Sequence, residues 1–369
     1  MKPLLIVSAA LLGGFLTSSL KAADVATPDM QAKFLAGIPM EGSSLADLEK
    51  EASWREHSRE LQKAWMEVDK RQISKIEKWM PEVANYAYED TSPLFYMFSG
   101  PDFLYAHAFF PNAATTIMCG IEPVGPTPDV ASLTPGSRAA SLRTLRKGLE
   151  TVLAFSFFKT KDMKNDFQYT SLSGTLPVLY LFIAHAGGTI QTAENVWLDE
   201  KGELVKEKAK VPGAKITFTG PSGKVQTVYY FSSDLSNEGI KHNPAFIDFC
   251  SKQGEGNAFA KAASYLMHRS DFSSVRDFLL THSKTMIQDD SGIPFKYFKP
   301  TDWEVRLAGH YSGPIDLFKD CYQSDLQQAF KAQKAIPLPF SAGYRWHSNE
   351  SSMILATAVK AIPKAQPAQ

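Results

Sequence analysis

The chain has 369 residues, with 39 lysines and arginines against 39 aspartates and glutamates, so its formal charge is zero. A balanced charge gives no concentrated basic face for phosphates, which argues against a nucleic-acid partner. The length suffices for one large domain or two ordinary ones with a substantial core.

The chain opens on "MKPLLIVSAALLGGFLTSSLKAAD": a positive start at Lys2, an apolar stretch from Leu4 to Leu16, then small residues up to Ala22 and Ala23. The apolar stretch is short for a bilayer, so residues 1–22 read as a signal peptide, with a mature chain beginning near Ala23. That predicts a periplasmic or secreted protein. No cysteine marks a lipid attachment at the cleavage site, and no later stretch is apolar enough for a transmembrane anchor, so the mature chain is expected to be soluble.

Residues 23–90 predict a helical N-terminal segment. Ser44 and Asp47 have capping-box spacing; Leu61, Trp65, Val68, Ile76 and Trp79 fall on one helical face, and Pro81 is expected to end the run. Residues 91–362 then read as an α/β domain: a mixed, partly parallel sheet flanked by helices. In "PLFYMFSGPDFLYAHAFFPNAATTIMCGIEPVG", two apolar runs, Leu94 to Phe98 and Thr115 to Ile121, bracket a helix opened by Pro101. Strand, helix, strand predicts a parallel βαβ unit, which puts Ser99, Asp102 and Glu122 on one carboxyl rim. The arrangement resembles the nucleotide-binding Rossmann-type unit in architecture, but it lacks the Gly-x-Gly-x-x-Gly turn. Export argues against a cytosolic cofactor such as a nicotinamide or a methyl donor.

The Pro-rich stretch "EPVGPTPDVASLTPGSR" predicts an irregular surface loop or a lid. Leu142, Leu145, Leu149 and Val152 mark an amphipathic helix, and "SGTLPVLYLFIAHAGG" a buried one stopped at Gly187 and Gly188. "TIQTAENVWL", "AKITFTG" and "VQTVYYFS" predict strands, the last two joined by a hairpin at "PSGK". "NPAFIDFCSKQG", "NAFAKAASYLMH" and "SSVRDFLLTHS" read as helices and "KTMIQDDSGIPF" as a strand entering a turn. "LPFSAGYRW" and "SSMILATAV" are expected to close the sheet, with a frayed tail at 363–369.

"FYMFSGPDF" and "VYYFSSDLS" both run Tyr-x-Phe-Ser into a nearby aspartate, Asp102 and Asp234. The recurrence fits either two divergent α/β halves or a chance repeat of aromatic strands. "QDDSGIP" adds Asp289, Asp290 and Ser291 in the same grammar, an apolar strand followed by an acidic turn. Asp102, Asp234, Asp289 and Asp290 are therefore the candidate catalytic acids, and Ser99, Ser232, Glu122 and Ser291 the candidate binding residues. Turn formation and helix capping compete for the same side chains. His107, His268 and His310 show no metal spacing and read as packed or surface residues. Cys119, Cys250 and Cys321 likewise show none; Cys119 reads as an inert core thiol, and Cys250 and Cys321 are left paired or free. No motif names a metal or a cofactor. The best reading is an enzyme acting on a small or saccharide-like molecule at an acidic strand-end pocket; the alternative is a non-catalytic envelope protein that binds a ligand or partner.

Overall fold

The computed structural model describes residues 25–155 and 171–362. The segment read as a signal peptide and the tail at 363–369 lie outside the described residues.

The N-terminal helices are α1 (Pro28–Leu35), α2 (Ala52–Val68) and α3 (Ser74–Tyr88), the last two joined through a π-helical turn at Asp69–Ile73. Trp54, His57, Ser58, Leu61 and Val68 are the buried stripe of α2, related by steps of three, four and seven so that they share one face. The extra residue of a π turn resets that stripe before Ile76 and Trp79. Two sequence expectations fail here. The Ser44 and Asp47 capping box does not form: Ser44 bonds Met30, and α2 starts later, after Glu51, with no side-chain cap. Pro81 does not end α3, which runs on to Tyr88 and breaks its helical geometry at Ala84 instead.

Among the described residues a single ten-stranded sheet follows: β1 (Leu94–Tyr96), β2 (Thr115–Gly120), β3 (Thr189–Leu198), β4 (Leu204–Val205), β5 (Val211–Thr219), β6 (Val225–Ser232), β7 (Gly256–Ala260), β8 (Ser283–Gln288), β9 (Trp303–Gly309) and β10 (Ser352–Ala358). Its order is β4-β3-β5-β6-β2-β1-β7-β8-β10-β9. The central strands β6, β2, β1, β7 and β8 are parallel; β5 on one side and β10 on the other run against them. Between β1 and β2 lies α4 (Phe103–Phe109), every residue of it buried. The other helices among the described residues are α5 (Pro135–Phe155), α6 (Leu176–His185), α7 (Asn237–His242), α8 (Ala245–Lys252), α9 (Ser273–His282) and α10 (Ser324–Ala332). Helices α1 to α6 supply the core on one face of the sheet, and α8 to α10 supply core residues on the other.

This is the mixed α/β architecture expected, with a helical N-terminal region. The βαβ unit and the β5–β6 hairpin fall where the sequence places them. Elsewhere the sequence misleads. "NAFAKAASYLMH" is not a helix but the central strand β7 and a tight turn, "LPFSAGYRW" is irregular, and the Pro-rich loop ends at Pro135, which opens α5. The remaining loop is tied to α1, where Gln31 Oε1 accepts the Val130 N–H at 2.9 Å. All three cysteines are free and buried, which removes the Cys250–Cys321 pairing. No described helix is long and apolar enough to cross a membrane.

The two Tyr-x-Phe-Ser stretches are not structural equivalents. Alignment of the motifs matches Tyr96 with Tyr229, but in the sheet Tyr96 stands level with Met118 and Met118 with Tyr230. The stretches are one residue out of step, and a one-residue slip sends the side chain to the opposite face. Tyr96 and Tyr230 lie in one core and Tyr229 packs on the other, so the motif does not carry a repeat of two halves.

Candidate functional site

Strand order reverses at β1: the chain moves outward through β2 and β6 on one side, then returns to place β7 and β8 on the other. In open parallel sheets the loops diverge at such a point and leave a crevice beyond the carboxyl ends. A cleft of about 450 Å³ lies there, walled by the turns that follow β1, β2, β6 and β7. Its polar lining is Ser99, Asp102, Glu122, Ser233, Asp234, Lys261 and Ser264; Met97, Phe98, Ile121, Leu266 and Phe272 supply apolar wall.

Asp102 caps α4, its Oδ1 accepting the Tyr105 N–H at 3.4 Å. Its Oδ2 takes two further partners, the Tyr96 hydroxyl at 2.9 Å and the Lys261 ammonium at 3.0 Å. Both charged side chains are only 3% exposed. Burial pushes the Asp102 carboxyl above its ordinary range, against the opposing pull of Lys261. Lys261 also lies 3.9 Å over the ring of Tyr105, a cation–π contact that favours the charged ammonium.

Glu122 stands just past β2 and is buried. The Tyr230 hydroxyl is 3.0 Å from its backbone carbonyl and 3.3 Å from its Oε2. Two glycines make room for this carboxylate. A Cβ on Gly120 would sit 2.2 Å from Glu122 Oε2, and Gly100, with φ +53°, turns the chain after β1 so that its own Cβ position lies 3.6 Å from Oε1. The cleft therefore has two tyrosine–carboxylate pairs, Tyr96 with Asp102 and Tyr230 with Glu122, on neighbouring strand ends.

The turn after β7 is unusual. Ala262, Ser264 and Tyr265 all have positive φ, between 52° and 56°, which costs each an L-residue penalty. Four side chains hold the turn. Asp289 Oδ2 accepts the Ala262 N–H at 2.9 Å, Ser291 Oγ accepts the Ala263 N–H at 2.8 Å, and the Tyr344 hydroxyl donates to the Ala262 carbonyl at 3.0 Å. Asp290 holds the far end by accepting from the Tyr265 hydroxyl at 2.8 Å. Burial and the adjacent Asp289 push the Asp290 carboxyl up to about 7.

The eight residues singled out in the sequence thus divide. Asp102 and Glu122 lie in the cleft with their carboxylates. Asp234 lines it too but is exposed, its Oδ1 accepting the Ser236 N–H at 2.9 Å in a local turn. Ser99 is a brace between β1 and β2: its Oγ donates to the Gly100 carbonyl at 2.7 Å and accepts the Cys119 N–H at 3.2 Å. Ser232 ends β6 beside the cleft, where Ser233 supplies the lining. Asp289 and Ser291 are bound to one another and to the β7 turn, and Asp290 to Tyr265, so "QDDS" supports the cleft from behind. His107 is buried against Phe103 and Phe218, His268 packs beside Tyr265, and His310 is exposed. Among the described residues no three histidine, cysteine, aspartate or glutamate side chains gather as a metal site.

No family model matches the chain, and neither a curated protein nor a solved structure shows significant similarity to it. The geometry of the cleft is therefore the basis for assigning a role. The sequence reading misses Lys261, Tyr96 and Tyr230 as site residues. Tyr96 and Tyr230 could have been marked by strand position, each being a polar tip on an inward-facing strand residue that must find a partner.

Proposed function

We propose that the chain is an exported enzyme acting on a small polyhydroxylated molecule held in the strand-edge cleft. The observation that carries this reading is the convergence of four strand-end turns on one concave site, with Asp102, Glu122 and Lys261 in its walls. Clefts of about 300–1,000 Å³ with apolar walls and a few fixed polar groups suit small ligands. Glu122 is the residue best placed for acid–base work: its carboxylate has one tyrosine hydroxyl partner and keeps further acceptor capacity for a ligand hydroxyl. Asp102 and Lys261 neutralise each other, so their part is to fix the wall.

Export is supported by Lys2, the apolar stretch from Leu4 to Leu16 and the small residues at Ala22 and Ala23. Intact-mass analysis of the envelope fraction should give a chain beginning near Ala23; a full-length cytosolic chain would remove this part of the proposal.

The second reading, a non-catalytic binding protein, is favoured by the mutual neutralisation of Asp102 and Lys261. Incubation of the protein with a panel of saccharides and other polyols, followed by mass spectrometry, separates the two. Turnover that is abolished by Glu122→Gln supports the enzyme; saturable binding without product supports the binding protein.

A further inference from the structure

Resting on the reading of the cleft as a site for a small polyhydroxylated molecule, we infer that this molecule is an amino sugar, held through its ammonium group by Glu122. The first argument is the state of the Glu122 carboxylate. The residue is 3% exposed, and the Tyr230 hydroxyl, 3.3 Å from Oε2, is the one side-chain donor to it among the described residues. Nothing among those residues donates to Oε1. Gly100 has no side chain to cover that oxygen: a Cβ there would stand 3.6 Å from Oε1, and both residues line the cleft. A carboxylate taken out of water is costly unless a positive group or several donors meet its oxygens. One long bond from a neutral hydroxyl leaves Oε1 to be met by the ligand.

The second argument is the charge balance of the cleft. Its lining carries three carboxyls, Asp102, Glu122 and Asp234, against one basic side chain, Lys261. Lys261 is held 3.0 Å from Asp102 Oδ2, so Glu122 and Asp234 leave the cleft with a formal excess of negative charge. Both act at one place: burial first, and then the charges of Glu122 and Asp234, push the Cys119 thiol up. A neutral polyol leaves that excess standing, whereas a cation in the cleft offsets it. The apolar wall decides which kind of cation. Phe98 and Phe272, both half-buried, stand edge to face with ring centroids 5.9 Å apart. A ring face attracts an ammonium but supplies none of the oxygens a hard metal ion needs. Among the described residues no third carboxylate, histidine or cysteine joins Glu122 and Asp234 as a metal site. An amine flanked by a hydroxyl also suits the role given to Glu122: Oε1 takes the ammonium, and the remaining lone pairs of the carboxylate serve the neighbouring hydroxyl.

Calorimetric titration of the mature protein tests this with glucosamine, galactosamine and mannosamine, their N-acetyl forms, the parent hexoses, phenylethylamine and calcium chloride. The titrations are run at about pH 6.5, below the range in which an amino group loses its proton. At least one amino sugar should bind saturably, with its N-acetyl form and its parent hexose each at least about tenfold weaker, because neither carries the charge. Glu122→Gln should weaken the amino sugar at least about tenfold and leave the parent hexose little changed, since the amide still accepts from a hydroxyl. A circular dichroism melt checks that the variant is folded, and the comparison with the N-acetyl form needs no variant. Equal affinity for an amino sugar and its N-acetyl form, or an amino-sugar affinity that Glu122→Gln does not change, overturns the inference. Saturable calcium binding that Glu122→Gln abolishes overturns it too. If only neutral saccharides bind, the amine is wrong and the cleft reading stands. If phenylethylamine alone binds, or nothing does, both fall.

Discussion

Lys261 and Asp102 form a buried ion pair in the wall of the cleft, and removing one partner differs sharply from removing both. The bare carboxylate left by Lys261→Met would be desolvated with only Tyr96 and the Tyr105 N–H to stabilise it. Breaking a buried pair in this way costs about 3–5 kcal/mol, whereas a neutral replacement of both charges is often close to neutral. The expected urea midpoints are therefore strongly lowered for Lys261→Met and largely recovered in Lys261→Met with Asp102→Asn. Equal losses in the single and double variants would show that the lysine stem, not its charge, supports the wall. A second expectation concerns backbone strain. Ala262 has φ +52°, which glycine adopts without a Cβ penalty, so Ala262→Gly should be neutral or stabilising by up to about 1 kcal/mol despite glycine's greater freedom when unfolded. Asp289→Ala acts in the opposite direction, because it leaves the half-buried Ala262 N–H without its acceptor.

At the scale of elements, strand β7 shows how much of the fold was legible and why the rest was not. The unit β1–α4–β2 could be read from local chemistry: two apolar runs, a proline able to open a helix, and an aspartate that caps it. Strand β7 could not. Its alanine-rich run favours a helix by propensity, and only pairing on both sides with β1 and β8 makes it a strand. The turn that follows has Ala262, Ser264 and Tyr265 in a backbone region where glycine is the usual sequence signal, so nothing local announced it. Lys261 sits between those two misread pieces, and its partner Asp102 lies in a different βαβ unit. The acidic turn "QDDS" was legible as a turn, but that its carboxylates hold the turn after β7 depends on the parallel pairing of β7 with β8. The same strand gives an element-scale test. Gly256 opens β7 where its pairing with β8 shifts, and a Cβ there would sit 2.2 Å from the Pro93 carbonyl and 2.9 Å from the Phe95 ring. Gly256→Ala should destabilise the protein by about 1–3 kcal/mol through this overpacking, read as a lowered urea midpoint with unchanged slope. No loss would mean that β1 and β7 are not so closely apposed.

Across the whole molecule, buried ionisable groups set how stability responds to pH, and they pull in opposite directions. Burial lowers His57, His107, His185 and His268 from 6.5 to about 4. His57 shows why: its Nε2 is 2.8 Å from the Leu35 carbonyl, while the buried Nδ1 makes no hydrogen bond, so burial penalises the charged ring. For a group whose folded pKa is depressed, the contribution to stability is complete above the unfolded value and is lost as pH falls toward the folded one. The four histidines therefore destabilise the fold between about pH 6.5 and 4, each by up to about 3 kcal/mol. Asp290 acts in the reverse sense. Its carboxyl is raised from 3.8 to about 7, so its contribution is complete below 3.8 and is lost as pH rises toward 7. Asp102 and Asp289, whose carboxyls burial also raises, act in the same sense as Asp290, but the four histidines act together, and the net expectation is an acid limb: urea midpoints should fall from pH 7 to pH 4 as the unfolded chain takes up more protons than the folded one. Asp290→Asn removes the opposing contribution while keeping an acceptor for the Tyr265 hydroxyl. It should raise the midpoint relative to the unmodified protein at pH 8, change it little at pH 4, and so steepen the limb. A midpoint unchanged between pH 7 and pH 4.5, or an Asp290→Asn effect equal at both ends of the range, would mean that these side chains ionise without leaving the fold.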